Sequence, residues 1–159
     1  MQHRRHSIRL KGYDYSQAGA YFITICVHER RPLLQLEPVR QMVERWWMEL
    51  PVKFPAVELD AFVVMPNHIH GIVAITAGTS MHAEGNDTTS LSGVVQWYKA
   101  MTTNDYIRGV KQLGWPAFTT RFWHRNYWEH IVRDDSDLAR LRRYIELNPA
   151  HWLDDSLHI

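Results

Sequence analysis

One stretch, Phe62-Val63-Val64-Met65-Pro66-Asn67-His68-Ile69-His70-Gly71-Ile72-Val73-Ala74-Ile75, constrains this chain more than any other. Two apolar runs flank Pro66-Asn67, a pair that favours a bend, so the stretch reads as two strands of a β-hairpin. Side chains alternate across a strand, so His68 and His70 share one face and Ile69 takes the other. Apolar flanks on both sides place the histidine strand inside a sheet rather than at its edge. Two imidazoles one strand repeat apart can grip a single divalent ion. The same triplet also fits a pair of polar residues on a solvated face, and alone it leaves both readings open.

The remaining elements can be read around that hairpin. Residues 21–27 are β-branched and aromatic and read as a central strand. Residues 36–50 carry Val39, Val43, Trp46 and Leu50 at helical spacing and stop at Pro51. The hairpin strands cover 57–65 and 68–75. Residues 76–86, rich in Gly, Ser, Thr and Ala, read as a loop. A helix follows over 89–108, capped by Asp87, Thr88 or Thr89, with Val94, Tyr98 and Met101 as its apolar stripe. Beyond Gly114-Trp115-Pro116, residues 118–123 read as a short fourth strand. A last helix starts near Asp134-Asp135-Ser136, runs through Leu138, Leu141 and Ile145, and ends at Pro149. The order is βαββαβ with one additional helix. It predicts an α+β, ferredoxin-like fold: a four-stranded antiparallel sheet, helices on one face, and a C-terminal helix carrying Tyr144. All 159 residues read as a single domain.

Composition enters where it limits partners. Net charge is +1, so bulk electrostatics does not demand a nucleic acid. Residues 1–13, however, form a basic arm with Arg4, Arg5, Arg9 and Lys11 and no acid, a common nucleic-acid contact. Arg121 and Arg125 lie among Phe122, Trp123, Tyr127 and Trp128. That mixture suits single-stranded nucleic acid, and suits a tryptophan-rich packing layer equally well. Cys26 is the one cysteine, which excludes an internal disulfide and fits a cytoplasmic protein. No apolar run is long enough to span a bilayer, so no membrane partner is expected.

Tyr144 and Asn148 are four residues apart and share a helix face beside the Leu141 and Ile145 stripe. With a divalent metal on His68 and His70, Asn148 is a candidate third, oxygen-bearing ligand. The metal would polarise a phosphodiester while the Tyr144 hydroxyl attacks phosphorus. A phenol, with a pKa of about 10, is a weak nucleophile at neutral pH without a cation beside it, and Arg140 and Arg143 are near in sequence. The resulting phosphotyrosine is itself a phosphodiester. A free 3′ hydroxyl can therefore attack it and rejoin the strand without ATP.

These residues carry a family likeness. Val64-Met65-Pro66-Asn67-His68-Ile69-His70-Gly71-Ile72 resembles the HUH motif of the Y1 transposases of the IS200/IS605 type. Tyr144-Ile145-Glu146-Leu147-Asn148-Pro149 resembles their catalytic-tyrosine helix. Phe122-Trp123-His124-Arg125-Asn126-Tyr127-Trp128-Glu129-His130-Ile131-Val132-Arg133 resembles the stretch before that helix in REP-associated tyrosine transposases. The likeness spans residues 9–152. It implies a DNA endonuclease and strand transferase acting on single-stranded DNA with hairpins, using Mg²⁺ or Mn²⁺, as a homodimer or a monomer. By the same likeness His68, His70 and Asn148 are the metal ligands and Tyr144 is the nucleophile. The implied DNA contacts are Arg4, Arg5, Arg9, Lys11, Arg121, Arg125, Arg140 and Arg143. Two other readings stand beside it: a non-catalytic, ferredoxin-like nucleic-acid-binding module, and a metal-dependent hydrolase of small phosphates.

Overall fold

The structure, a computed structural model, describes residues 19–76 and 89–150. Four strands form one antiparallel sheet: β1 (Gly19–Cys26), β2 (Val57–Met65), β3 (His68–Ile75) and β4 (Trp128–Ile131), in the spatial order β2-β3-β1-β4. This is the expected ferredoxin-like arrangement, with the histidine strand β3 at its centre beside β1. The β1–β3 ladder is continuous from Gly19–Ile75 to Cys26–His68.

Strand alternation gives the sheet two unlike faces. Ile69, Val73 and Ile75 of β3 face α1 (Glu37–Met48), the short α2 (Leu50–Lys53) and α3 (Leu91–Leu113), and with Tyr21, Ile23 and Ile25 they build the main core. His68, His70 and Ile72 face the other way. There α4 (Asp135–Leu147) lays Leu141 and Ile145 over Ile72, against Ala20, Phe22, Ala61 and Val63. Helices therefore cover both faces, the additional C-terminal one lying alone on the histidine side.

Two local devices set this layering. Trp47 is buried flat over β3, stacked on Phe62 at 4.4 Å between centroids. A Cβ on Gly71 would come within 2.4 Å of the Trp47 ring, so only glycine admits this approach. On β2, the register slips between Leu59 and Phe62. The slip changes the parity of the strand, so Leu59 and Phe62 both join the main core while Ala61 and Val63 face α4. At the same point Asp60 reaches Arg142 of α4 through two hydrogen bonds, 2.8 and 2.6 Å.

Three expectations need correction. The fourth strand is Trp128–Ile131, not residues 118–123. Phe118 and Phe122 instead pack around Tyr106 of α3, the Phe122 ring stacked on it at 4.4 Å, and only Trp123 makes an isolated bridge, to Val27. Aromatic content there serves packing, not ladder formation. Pro51 does not end helical structure but sits in the first turn of α2, where its missing N–H costs nothing. The α3 helix runs five residues past Arg108, to a left-handed Gly114 whose N–H is taken by a preceding carbonyl, and its cap is Ser90, whose Oγ accepts from Gly93 N–H at 3.1 Å. Residues 1–13 and most of the 76–86 loop lie outside the described residues. No helix among the described residues is long and apolar enough to cross a membrane.

Candidate active site

The two-residue link Pro66-Asn67 sets the site. Neither residue has a positive φ, so the turn is not one of the primed types that hairpins favour. Tertiary bonds hold it instead: Val27 N–H donates to the Asn67 carbonyl and Leu34 N–H to the Pro66 carbonyl, each at 2.9 Å. The side chain of Asn67, fully buried, donates through Nδ2 to the Arg30 carbonyl at 3.3 Å. Glu29 and Arg30 have φ of 59° and 55°, a left-handed backbone that costs non-glycine residues roughly 1–2 kcal/mol each. Strained backbone thus lies directly behind the histidine turn.

With its amide nitrogen committed to Arg30, Asn67 presents Oδ1 to His68 Nδ1 at 2.7 Å. An amide oxygen only accepts, so His68 carries its proton on Nδ1 and leaves Nε2 bare. Nε2 of His68 lies 3.0 Å from Nε2 of His70. His70 must therefore donate from Nε2, and its Nδ1 accepts from the Thr24 hydroxyl at 2.8 Å. Both imidazoles are fully buried, and their Nε2 atoms converge. Phe22 stacks on the His70 ring at 5.3 Å, and the Tyr144 ring meets the same imidazole edge-on, also at 5.3 Å. Tyr144 is 41% exposed. One turn on, Asn148 is 4% exposed and its Oδ1 is buried without a hydrogen-bond partner.

These residues fit a divalent cation. Two donors about 2.1 Å from one ion and at right angles lie about 3.0 Å apart, the octahedral case. That matches the imidazole separation found here. Each histidine has a polar partner on its other nitrogen, the usual support of a ligating imidazole. Among the described residues no group of three His, Cys, Asp or Glu side chains converges, so a third protein donor has to come from elsewhere. Asn148 carries a buried amide oxygen without a hydrogen-bond partner at the end of the Tyr144 helix.

The other predicted residues fall in different places. Arg140 is tied to Asp137 at 2.6 Å, and Arg143 is exposed. Arg121 and Arg125 line a recess against α3. Arg4, Arg5, Arg9 and Lys11 lie outside the described residues. Tyr127 is buried in the main core, and His130 pairs with Asp137 at 2.8 Å, a contact that fastens α4 to β4. Asp137 titrates at about 2 instead of 3.8: its partial burial pushes upward, but hydrogen bonds from His130, Arg140 and the Arg133 N–H, with the His130 charge, outweigh it.

Thr24, Phe22 and Asn67 escaped the sequence reading. Asn67 had a signal, its place between a proline and the first histidine. Thr24 and Phe22 had none, because only the β1–β3 register sets them beside His70.

A model of the family described as "Transposase IS200 like" matches residues 16–148. The chain belongs to the IS200-like transposase family. An uncharacterized protein of Haemophilus influenzae is 34% identical to this transposase-family chain, covering 99% of it and 94% of the relative. The REP-associated tyrosine transposase of Escherichia coli is 25% identical, over 86% of this chain and 69% of its own. Among solved structures, a REP-associated tyrosine transposase bound to a REP hairpin superposes with a TM-score of 0.65 at 24% identity, covering 87% of this chain and 70% of that one. At that identity the likeness speaks for the fold.

Proposed function

We propose that this IS200-like family member is a single-strand-specific DNA endonuclease and strand transferase that works through a 5′-phosphotyrosine on Tyr144. The observation that carries the reading is the Tyr144 ring lying 5.3 Å from the ring of His70 within one chain. A half-exposed phenol sits beside two buried, converging imidazoles, so DNA can reach the nucleophile while the ligands stay fixed.

In this reading His68, His70 and Asn148 hold Mg²⁺ or Mn²⁺, and the imidazole pair favours Mn²⁺, Mg²⁺ preferring oxygen donors throughout. When bound, the cation supplies a Lewis acid for the non-bridging oxygens of the scissile phosphate. Tyr144 Oη attacks phosphorus; its O–P bond forms as the bond to the 3′ oxygen breaks. The phenolic proton passes to solvent, and the departing oxygen takes one up as a 3′ hydroxyl. Attack of a 3′ hydroxyl on the phosphotyrosine reverses the step and joins strands. Phe22 and His70 hold the Tyr144 ring from two sides, which restricts its rotamers before DNA arrives. A hairpin-bearing strand is the proposed partner, supported by the hairpin-bound structural neighbour.

The test is cleavage of labelled single-stranded hairpin DNA with Mn²⁺. Wild type is expected to give a protein–DNA adduct that survives denaturation, and Tyr144→Phe none. An adduct that persists in Tyr144→Phe refutes the assignment. Salt-dependent binding with no adduct from wild type leaves the non-catalytic binding module in its place.

A further inference from the structure

The recess that holds Arg121 and Arg125 lies against α3, the helix that covers the sheet face opposite the histidines. It encloses about 420 Å³ and is lined by Lys99, Thr103 and Asn104 of α3 with Thr120, Arg121 and Arg125. Three cations converge there, and no carboxylate is among the lining residues. Lys99 Nζ donates to the carbonyls of His124 and Arg125 at 2.8 and 3.2 Å. An ammonium has three donors, so one remains. Arg121 Nε is buried without an acceptor. Burial first, and the neighbouring Arg121 charge second, lower the Lys99 ammonium to about 8. Like charges held together with an orphaned N–H suit an anion.

The recess connects to the candidate active site through the backbone. His124 N–H donates to the Cys26 carbonyl at 2.7 Å, and Cys26 is the ladder partner of His68. The segment carrying Arg121 and Arg125 thus runs two strand spacings, about 10 Å, from the histidine pair.

We propose that Lys99, Arg121 and Arg125 form a phosphate seat for a backbone phosphate of single-stranded DNA flanking the one that is cleaved. The seat rests on the reading of the chain as an enzyme of single-stranded DNA. Thr103 and Asn104 add neutral donors, and none of these groups reads a base, so the seat positions the strand without selecting sequence.

The test compares wild type with Arg121→Gln/Arg125→Gln by binding to a single-stranded oligonucleotide across a salt series. The seat holds one phosphate, and each lost phosphate contact lowers the slope of log K against log salt by about 0.7, so the double variant is expected to lose about 0.7, with affinity down about fivefold near 0.1 M salt. Arg40→Gln, an exposed charge on α1, controls for net charge and is expected to keep the full slope. If the double variant does not fold, the exposed Arg125→Gln carries the test, with a loss of slope above zero and below the roughly 0.7 of a whole phosphate contact. The Arg121 Nε–H resonance of wild type is expected to shift on adding the oligonucleotide. An unchanged slope in a folded variant, or a resonance moved by inorganic phosphate and not by DNA, overturns the seat. Adduct formation by wild type, scored separately, distinguishes failure of the seat from failure of the enzyme reading.

Discussion

Thr24→Val isolates the support of one histidine with little change in volume. The Asn67 contact to His68 implies a His70 that donates from Nε2 and accepts at Nδ1 from Thr24. To offer Nε2 to a cation, His70 must carry its proton on Nδ1 instead, and the Thr24 hydroxyl must turn from donor to acceptor. A hydroxyl serves both states, and a valine methyl serves neither. Loss of such a partner typically costs 10–100-fold in metal affinity, or about 1.4–2.7 kcal/mol. Leaving a buried ring nitrogen unpartnered also costs the apo fold about 1–3 kcal/mol. The assay is Mn²⁺ titration followed by the free-ion magnetic resonance signal, beside a urea melt. Thr24→Val is expected to weaken Mn²⁺ binding at least tenfold, and Thr24→Ser, which keeps the hydroxyl, to restore most of it. Wild-type Mn²⁺ affinity in a folded Thr24→Val protein would refute both the tautomer assignment and the role of His70 as a ligand.

Three further outcomes follow from other parts of the fold. Gly71→Ala drives a methyl into the Trp47 ring and is expected to lower stability by about 1–3 kcal/mol; an unchanged urea midpoint contradicts the packing described. Asp137, held at about 2 against an ordinary 3.8, stabilises the α4 attachment fully above pH 4, and that contribution disappears as pH falls from about 4 toward 2. Asp137→Asn is expected to flatten the acid limb of the stability curve over that window, and an acid limb equal to wild type counts against it. Leu141→Ala opens the small contact under α4 and is expected to cost about 2 kcal/mol or more and to reduce Tyr144 adduct formation; full adduct yield contradicts the dependence of the nucleophile on this contact.

Much of this was legible in the residues because it rests on local patterns. The hairpin, the central place of β3 and the shared direction of His68 and His70 follow from alternation and a proline-asparagine turn. Tyr144 and Asn148 on one helix face follow from a four-residue interval. What was hidden depends on distant pairing. The parity change between Leu59 and Phe62, which turns Ala61 toward α4, leaves no mark in composition. Thr24 becomes the partner of His70 only through the β1–β3 register. The misplaced fourth strand has the same origin: Phe118 and Phe122 look β-forming, yet contact with Tyr106 takes them away from the sheet. Lys99 likewise gains its partners, the carbonyls of His124 and Arg125, only through tertiary folding.

The unequal covering of the two faces also ranks the parts of the molecule by how firmly they are fastened. Under α1 and α3 the sheet is sealed by dozens of interlocked side chains, whereas α4 is pinned by Leu141 and Ile145 and by the His130–Asp137 and Asp60–Arg142 pairs at its rim. Burying two such aliphatic groups is worth roughly 3–6 kcal/mol at most, below what a whole domain commands. The phenol therefore rides on the piece that can come loose while the imidazoles stay embedded in the piece that cannot. Wear on this protein, by warming or by protease, should silence the nucleophile long before it disturbs the ligands.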